Sequence, residues 1–270
     1  MTMIRQISLF GISTRIIHPS EPLVPILLDS IQAEMSGGLL HGDIIVLAES
    51  AVATAQGRVI SLESVVPSKR AEAYAEQYEM NPALCELVLQ ESTEIVGGIP
   101  GFLLAMVEDT LLPNAGIDGS NAPIGHVVLL PENPNECARS IREELERACG
   151  VSLAVLIIDS RTHPMRYGCG GVAIGCSGIE AVIDDVGKVD LFGNRLEVTK
   201  RAVADNIASA AELLMGEADE GVPLVIVRGT KGTVPPITDD YGIEMISPDK
   251  CLFMGVMRRN KTDIKGSSRE

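Results

Sequence analysis

Tryptophan is absent from the 270 residues, and four Tyr with four Phe bring the aromatic share to only 3%. A stacking platform for nucleic-acid bases is disfavoured by that scarcity. Positive charge is also thin, because 22 Lys and Arg stand against 37 Asp and Glu and leave a net charge of −15. Neutralising a phosphate backbone needs clustered cations, so a nonspecific grip on nucleic acid is disfavoured too. No run of 18 uncharged apolar residues occurs, and the opening MTMIRQISLF is neither a signal peptide nor an amphipathic transit sequence. The expectation is a cytoplasmic protein with no membrane partner. Six cysteines (Cys85, Cys137, Cys149, Cys169, Cys176 and Cys251) show no CxxC spacing and no paired His, which points to reduced, buried small hydrophobes and not to disulfides or zinc. No segment matches GxxxxGK[ST], the stretch GTKGT at 229–233 included, so a P-loop is lacking. No Ser-His-Asp order or GxSxG elbow stands out, and Cys169 near Arg166 is a weak candidate for a nucleophilic thiol.

What is present is a chain with 46% apolar residues, enough for one domain over residues 1–259 or two intimate lobes, followed by a polar tail at 260–270. The runs at 44–48, 102–107, 127–130, 153–158 and 224–227 read as buried strands bounded by Gly, Pro, Asp or Asn. Ser68 can cap a helix over SKRAEAYAEQYE, and Asn81-Pro82 can start another. A third spans 135–149 and stops at Gly150, and the longest runs from about Val198 to Met215. The glycine pairs at 37–38, 97–98 and 170–171 read as turns. Strands and helices mingle without a steady βαβ rhythm, so the expected class is α+β, or mixed α/β, and not a Rossmann fold.

Three junctions carry acids beside glycine. NAGIDGSN (114–121) offers Asp118 with little bulk around it, in a place where a hairpin turn would be the bland alternative. Asp159 ends the run LAVLII and opens DSRTHPMRYGCGGVAIG; an acid at a buried strand end costs desolvation unless it pairs, hydrogen-bonds or binds metal. Arg161 and Arg166 follow it, either as phosphate-binding guanidiniums or as surface ion pairs, with His163 between them as a solvated loop histidine or a base. In LLMGEADEGVP (213–223), Glu217, Asp219 and Glu220 crowd the C-terminal end of a helix, where the dipole disfavours negative charge. A divalent cation would compensate them, and a solvated acidic turn is the alternative.

These stretches, together with DLFGNRLEVT, VADNIASAAELLMGE and VPLVIVRG, resemble the motifs of the coenzyme F-420 gamma-glutamyl ligases from about Gly42 to Gly229. The resemblance implies an α+β fold in an intertwined homodimer. It implies GTP as cosubstrate, activation of the terminal carboxylate of a deazaflavin coenzyme precursor, and attack by the amine of L-glutamate. Two magnesium or manganese ions are implied per site, with potassium as a further candidate. Asp118 and Asp159 would hold one metal, and Ser160 and Glu217 the other. Asn121 and the stretch Met215, Gly216, Glu217, Ala218, Asp219, Glu220, Gly221 and Val222 would contact the nucleotide. Arg161 or Arg166 could orient an acyl phosphate. NAGIDGSN would then be small because backbone, Asp118 and Asn121 approach a phosphate closely.

Two departures from the family pattern matter. Thr54 in ESAVATAQGR stands where the family has a nucleotide-contacting lysine, and DSRTHPMRYG replaces DTxGRxxRxG. They keep two rivals open: a divergent paralogue joining another acid and amine, and a noncatalytic binder of nucleotide or coenzyme.

Overall fold

Alternation along the apolar strands decides where the cores lie. The computed structural model describes residues 6–230, 234 and 240–257; the opening MTMIR, residues 231–233 of GTKGT and the expected polar tail lie outside them. In chain order the elements are β1 (Ser8–Ile12), α1 (Leu23–Glu34), β2 (Ile44–Ala48), α2 (Glu49–Ala55), β3 (Val59–Ser61), α3 (Lys69–Tyr78) and α4 (Pro82–Glu91). Then come β4 (Glu94–Ile99), β5 (Phe102–Val107), β6 (Thr110–Pro113), β7 (His126–Val128), α5 (Pro134–Cys149), β8 (Ala154–Thr162) and β9 (Cys169–Ser177). The last are β10 (Val182–Asp184), β11 (Lys200–Ala202), α6 (Val203–Met215) and β12 (Leu224–Arg228). The class is mixed α+β. The chain forms two compact units, one holding the residues through Ile60 and from Asp118 to Ile243, the other Ser61–Ile117 and the residues from Glu244.

The first unit is built on a sheet of order β1-β12-β2-β8-β9, in which only β2 and β8 run parallel. Ile45, Leu47, Val155, Ile157 and Ile226 point to one face, against Leu27 and Ile31 of α1 and Ile141 and Leu145 of α5. Ile44, Val46, Leu156, Val225 and Val227 point to the other, against Ala204, Ile207, Ala208 and Ala211 of α6. Both faces are covered, so these strands read as continuous apolar runs instead of an alternating pattern.

Two sequence expectations need correction here. Helix α6 begins at Val203, not Val198, because Lys200–Ala202 pair antiparallel with β10. Arg201 is drawn there by Asp185, with Nε 2.5 Å from Oδ2, and Lys200 lies 3.4 Å from Asp184. The glycine pairs 97–98 and 170–171 are not turns but lie inside β4 and β9, and α6 packs so closely on β9 that a Cβ on Gly171 would stand 2.5 Å from the Ala208 carbonyl oxygen. All six cysteines are free; Cys85 and Cys176 are buried as expected, whereas Cys149 and Cys169 are exposed.

The second unit carries the antiparallel sheet β4-β5-β6 with α3 and α4. Its caps follow from the residue types. The Ser68 hydroxyl accepts from the Ala71 N–H at 3.3 Å, and Asn81 Oδ1 accepts from Ala83 and Leu84 at 2.8 and 3.4 Å. Pro82 opens α4 at the position where a missing N–H costs least.

Candidate active site

The parallel pairing of β2 with β8 ends where Ala48 sits opposite Ile158; β2 gives way there to Glu49, whereas β8 runs on to Thr162, so Asp159 lies inside the strand and not at its end as the sequence suggests. The loop entering β12 arrives at the same edge, where the Ala48 N–H donates to the Pro223 carbonyl at 3.0 Å. The N-terminal segment is tied in by the Thr14 N–H, which donates to the Gly221 carbonyl at 3.1 Å. In open sheets, ligands bind beyond the carboxyl ends of parallel strands. A cavity of about 490 Å³ opens at that edge, wholly within the first unit.

Asp118 is fixed through its backbone, which exchanges hydrogen bonds of 3.0 and 2.8 Å with Val128. Its Oδ1 accepts from the Ser120 N–H and hydroxyl at 2.9 and 3.0 Å. Asn121 adopts a left-handed backbone (φ 53°), a conformation Asn tolerates better than most residues. Across the cavity the Ser160 hydroxyl donates to Glu217 at 3.2 Å. Asp159 turns toward Arg161, whose Nε lies 2.8 Å from its Oδ2. Burial pushes the Asp159 carboxyl above its ordinary range against the pull of Arg161, and the nearby charges of Asp118 and Glu217 add to the rise.

Two further acids share the field. Glu49 opens partly to the cavity, yet protein surrounds its carboxyl on nearly every side; that desolvation, with the charges of Asp159 and Asp118, pushes it up to about 8. Glu212 rises to about 7 through burial and its hydrogen bond to Glu217, and its Oε1 is buried without a hydrogen-bond partner among the described residues. An unpartnered carboxylate oxygen in such a place is costly unless a cation or proton meets it. Among the described residues, no three His, Cys, Asp or Glu side chains as placed could hold a metal ion. The donors are nonetheless hard oxygens, the chemistry that suits magnesium or manganese.

Of the residues singled out from sequence, Asp118, Asn121 and Ser160 line the cavity, as does every residue from Met215 to Val222 except Glu220. Glu220 instead accepts from the Ala218 N–H at 2.9 Å and packs on Gly216. Asp159 lies beside the cavity within the same electrostatic cluster, with Arg161 bound to it. Arg166 is not at the cavity lining; it sits at the exposed tip between β8 and β9, flanked by Met165 and Tyr167. Glu49, Glu212 and Thr14–Ile17 also line the cavity and were not singled out as site residues. Glu49 follows IIVLA just as Asp159 follows LAVLII, so the strand-end rule that flagged one would have flagged the other.

Set beside known proteins, the chain is an enzyme of the ligase class. A family model described as F420-0:Gamma-glutamyl ligase matches residues 11–229, a span that contains every residue of the cavity, and the chain belongs to that family. It is 40% identical over 218 residues to the coenzyme F420:L-glutamate ligase of Methanopyrus kandleri, covering 80% of this chain and 84% of that one. Similar relatives of the same description are those of Methanothermobacter thermautotrophicus, 42% identical over 224 residues (83% and 89% covered), and Methanocaldococcus jannaschii, 40% identical over 208 residues (77% and 82% covered).

Proposed function

We propose that the enzyme joins L-glutamate through its amine to the terminal carboxylate of a deazaflavin coenzyme F420 precursor, with GTP and divalent cations, by way of an acyl phosphate. The observation that carries this reading is the cavity itself, where acids from α2, α6, the loop before β12 and the Asp118 segment converge, with Asp159 of β8 beside them. In the first step a substrate carboxylate oxygen attacks the γ-phosphorus of GTP, and GDP leaves. In the second the glutamate amine attacks the acyl carbon, the C–O bond to phosphate breaks, and the nitrogen loses a proton as the gamma-linked amide forms. The activation is needed because a carboxylate is a poor acyl donor.

Asp118, Asp159, Ser160 and Glu217 are the residues that would hold magnesium or manganese, two ions per site, with potassium a further candidate. When bound, the cations would offset the negative charge shared by phosphates and carboxylates. The loop Met215–Val222 and Asn121 would position the nucleotide, with the backbone able to approach phosphate closely where side chains are small. Arg161 and Arg166 are proposed to orient the acyl phosphate; a guanidinium fork matches its oxygens, and Arg166 would have to reach in from its hairpin tip. Burial raises Glu212 to about 7, so its deprotonated form, present near neutral pH, could receive the proton that the amine gives up.

GTP and glutamate are metabolites of the cytoplasm, where we place the enzyme. A homodimer is supported by the apolar tip between β10 and β11, where Leu191 and Phe192 are 99% and 91% exposed. Light scattering should show a dimer that Phe192→Ser weakens; an unchanged mass would reject that contact. A second reading, a paralogue acting on another acid or amine, is favoured by Thr54 in the cavity lining.

Incubation with GTP, manganese, glutamate and the coenzyme lacking glutamate tests both. A product heavier by one glutamyl residue supports the first reading. GDP release only with another acceptor supports the second, and release with none would leave neither standing.

A further inference from the structure

The cavity has no aromatic wall. None of the described residues lining it carries a ring, so a planar heterocycle entering there would find no surface to stack on. The ribbon that borders it does carry one. Strand β8 runs from Ser160 at the cavity to Thr162, which pairs with Cys169 of β9. Burial and the charges of Glu217 and Glu212 push the Cys169 thiol up, against a hydrogen bond to Ser160, so the base of this ribbon stands among the cavity acids. At about 3.3 Å per residue, its turn begins roughly 10 Å beyond Ser160.

The turn presents its side chains to solvent. The Arg166 N–H donates to the His163 carbonyl at 3.2 Å, and the His163 ring folds back over Gly170, its Cε1 3.5 Å from where a Cβ would stand there. Met165 is held at φ 61°, a left-handed conformation that is costly for a bulky residue and that clusters at ligand-binding positions. Tyr167 beyond it is 110% exposed, so its ring packs on nothing in the chain. The other rings of the first unit are placed elsewhere. Phe10 lies 5.6 Å under the Arg228 guanidinium, and Phe192 is at the tip between β10 and β11. Tyr241 follows Asp240, which accepts from Ser177 and Gly178 at the far end of β9.

We propose that Tyr167 is the stacking platform for the planar ring system of the acceptor, whose side chain runs back along the β8–β9 ribbon to bring its terminal carboxylate to Ser160. The proposal rests on the ligase reading above and names the residue that selects the acceptor. It leaves the acid-lined cavity to the reacting groups and holds the heterocycle outside it. A tyrosine suits the task, since its ring offers a large rigid face at the cost of fixing two torsions.

Steady-state kinetics of the full-length enzyme test this with the coenzyme lacking glutamate as acceptor, for wild type, Tyr167→Ala and Tyr167→Phe. Tyr167→Ala should raise KM for the acceptor by about tenfold, the worth of one aromatic stacking contact, with kcat and KM for GTP within about twofold of wild type. Tyr167→Phe keeps the ring and should keep the wild-type KM. Because the side chain packs on nothing, both variants should melt with wild type. An unchanged acceptor KM in Tyr167→Ala would overturn the proposal, as would an equal rise in Tyr167→Phe or a matching rise in KM for GTP. Turnover by wild type only with an acceptor that has no planar ring would overturn it while leaving a ligase standing. No turnover with any acceptor would reject the ligase reading, and the proposal with it.

Discussion

Asp118 is held in place by its main chain, which makes its carboxylate a separable variable. The two backbone hydrogen bonds to Val128 survive Asp118→Asn, and so does the Oδ1 acceptor used by Ser120. The variant should therefore melt within about 2 °C of wild type while losing metal-dependent turnover by about a hundredfold or more. Full turnover by initial-rate assay would remove Asp118 from the site. The legibility of the site divides along the same line between local and tertiary causes. Asp118 and Glu217 interrupt apolar runs beside glycine, and that contrast is visible in a bare string of letters, whereas Ser160 enters only through the family resemblance. Glu212 is not visible, since it occupies an ordinary polar position on an amphipathic helix; only the packing of α6 on β9, at Gly171, takes its Oε1 out of water. Arg166 is a case of the opposite kind: charge and proximity in sequence to Asp159 say nothing about the hairpin tip at which it lies, off the cavity lining.

At the scale of elements, neighbouring glycines in a strand differ in what packs on them. In Gly97-Gly98 and in Gly170-Gly171 the second glycine is crowded, Gly98 by the Phe102 carbonyl at 2.7 Å and Gly171 by the Ala208 carbonyl of α6 at 2.5 Å, whereas Gly97 has open space where a Cβ would go. Gly171→Ala must push α6 off β9 and should cost about 1–3 kcal/mol, seen as a lower denaturation midpoint in urea with unchanged slope. Gly97→Ala should stay within about 0.5 kcal/mol. Similar losses from the two would show that α6 does not approach β9 as closely as described. Elements announced by local chemistry were legible: the caps at Ser68 and Asn81 and the stop at Gly150, which is left-handed at φ 69°. Those that depend on a distant partner were not. Residues 198–202 carry on the period of the helix that follows, and only Asp184 and Asp185 across the ribbon make strand the better state for Lys200–Ala202.

For the whole molecule, the acid cluster links folding to pH and, on the proposed reading, to cations. Glu49 rises from 4.5 to about 8 and Glu212 from 4.5 to about 7 on folding. Between those values the folded chain holds protons that the unfolded chain has released. Their contribution is thus complete below about pH 4.5 and is lost as pH climbs through 7 and 8. Asp185 works in a separate window: Arg201 and Lys188 hold it down to about 2, so its contribution is present above 3.8 and fails only as pH falls toward 2. The metal-free protein should therefore melt several degrees lower at about pH 8 than at about pH 5.5, and Glu49→Gln should flatten that slope. Manganese requires deprotonated carboxylates, so its stabilisation should be larger at pH 8 than at pH 5.5, where protons already occupy the cluster. Thermal melts across pH, with manganese and with EDTA, measure both effects together. A manganese shift that is absent at pH 8, or equal at the two pH values, would mean that the acids at this strand edge do not act as one cation-holding group, and the charge compensation invoked for phosphoryl transfer would have to come from elsewhere.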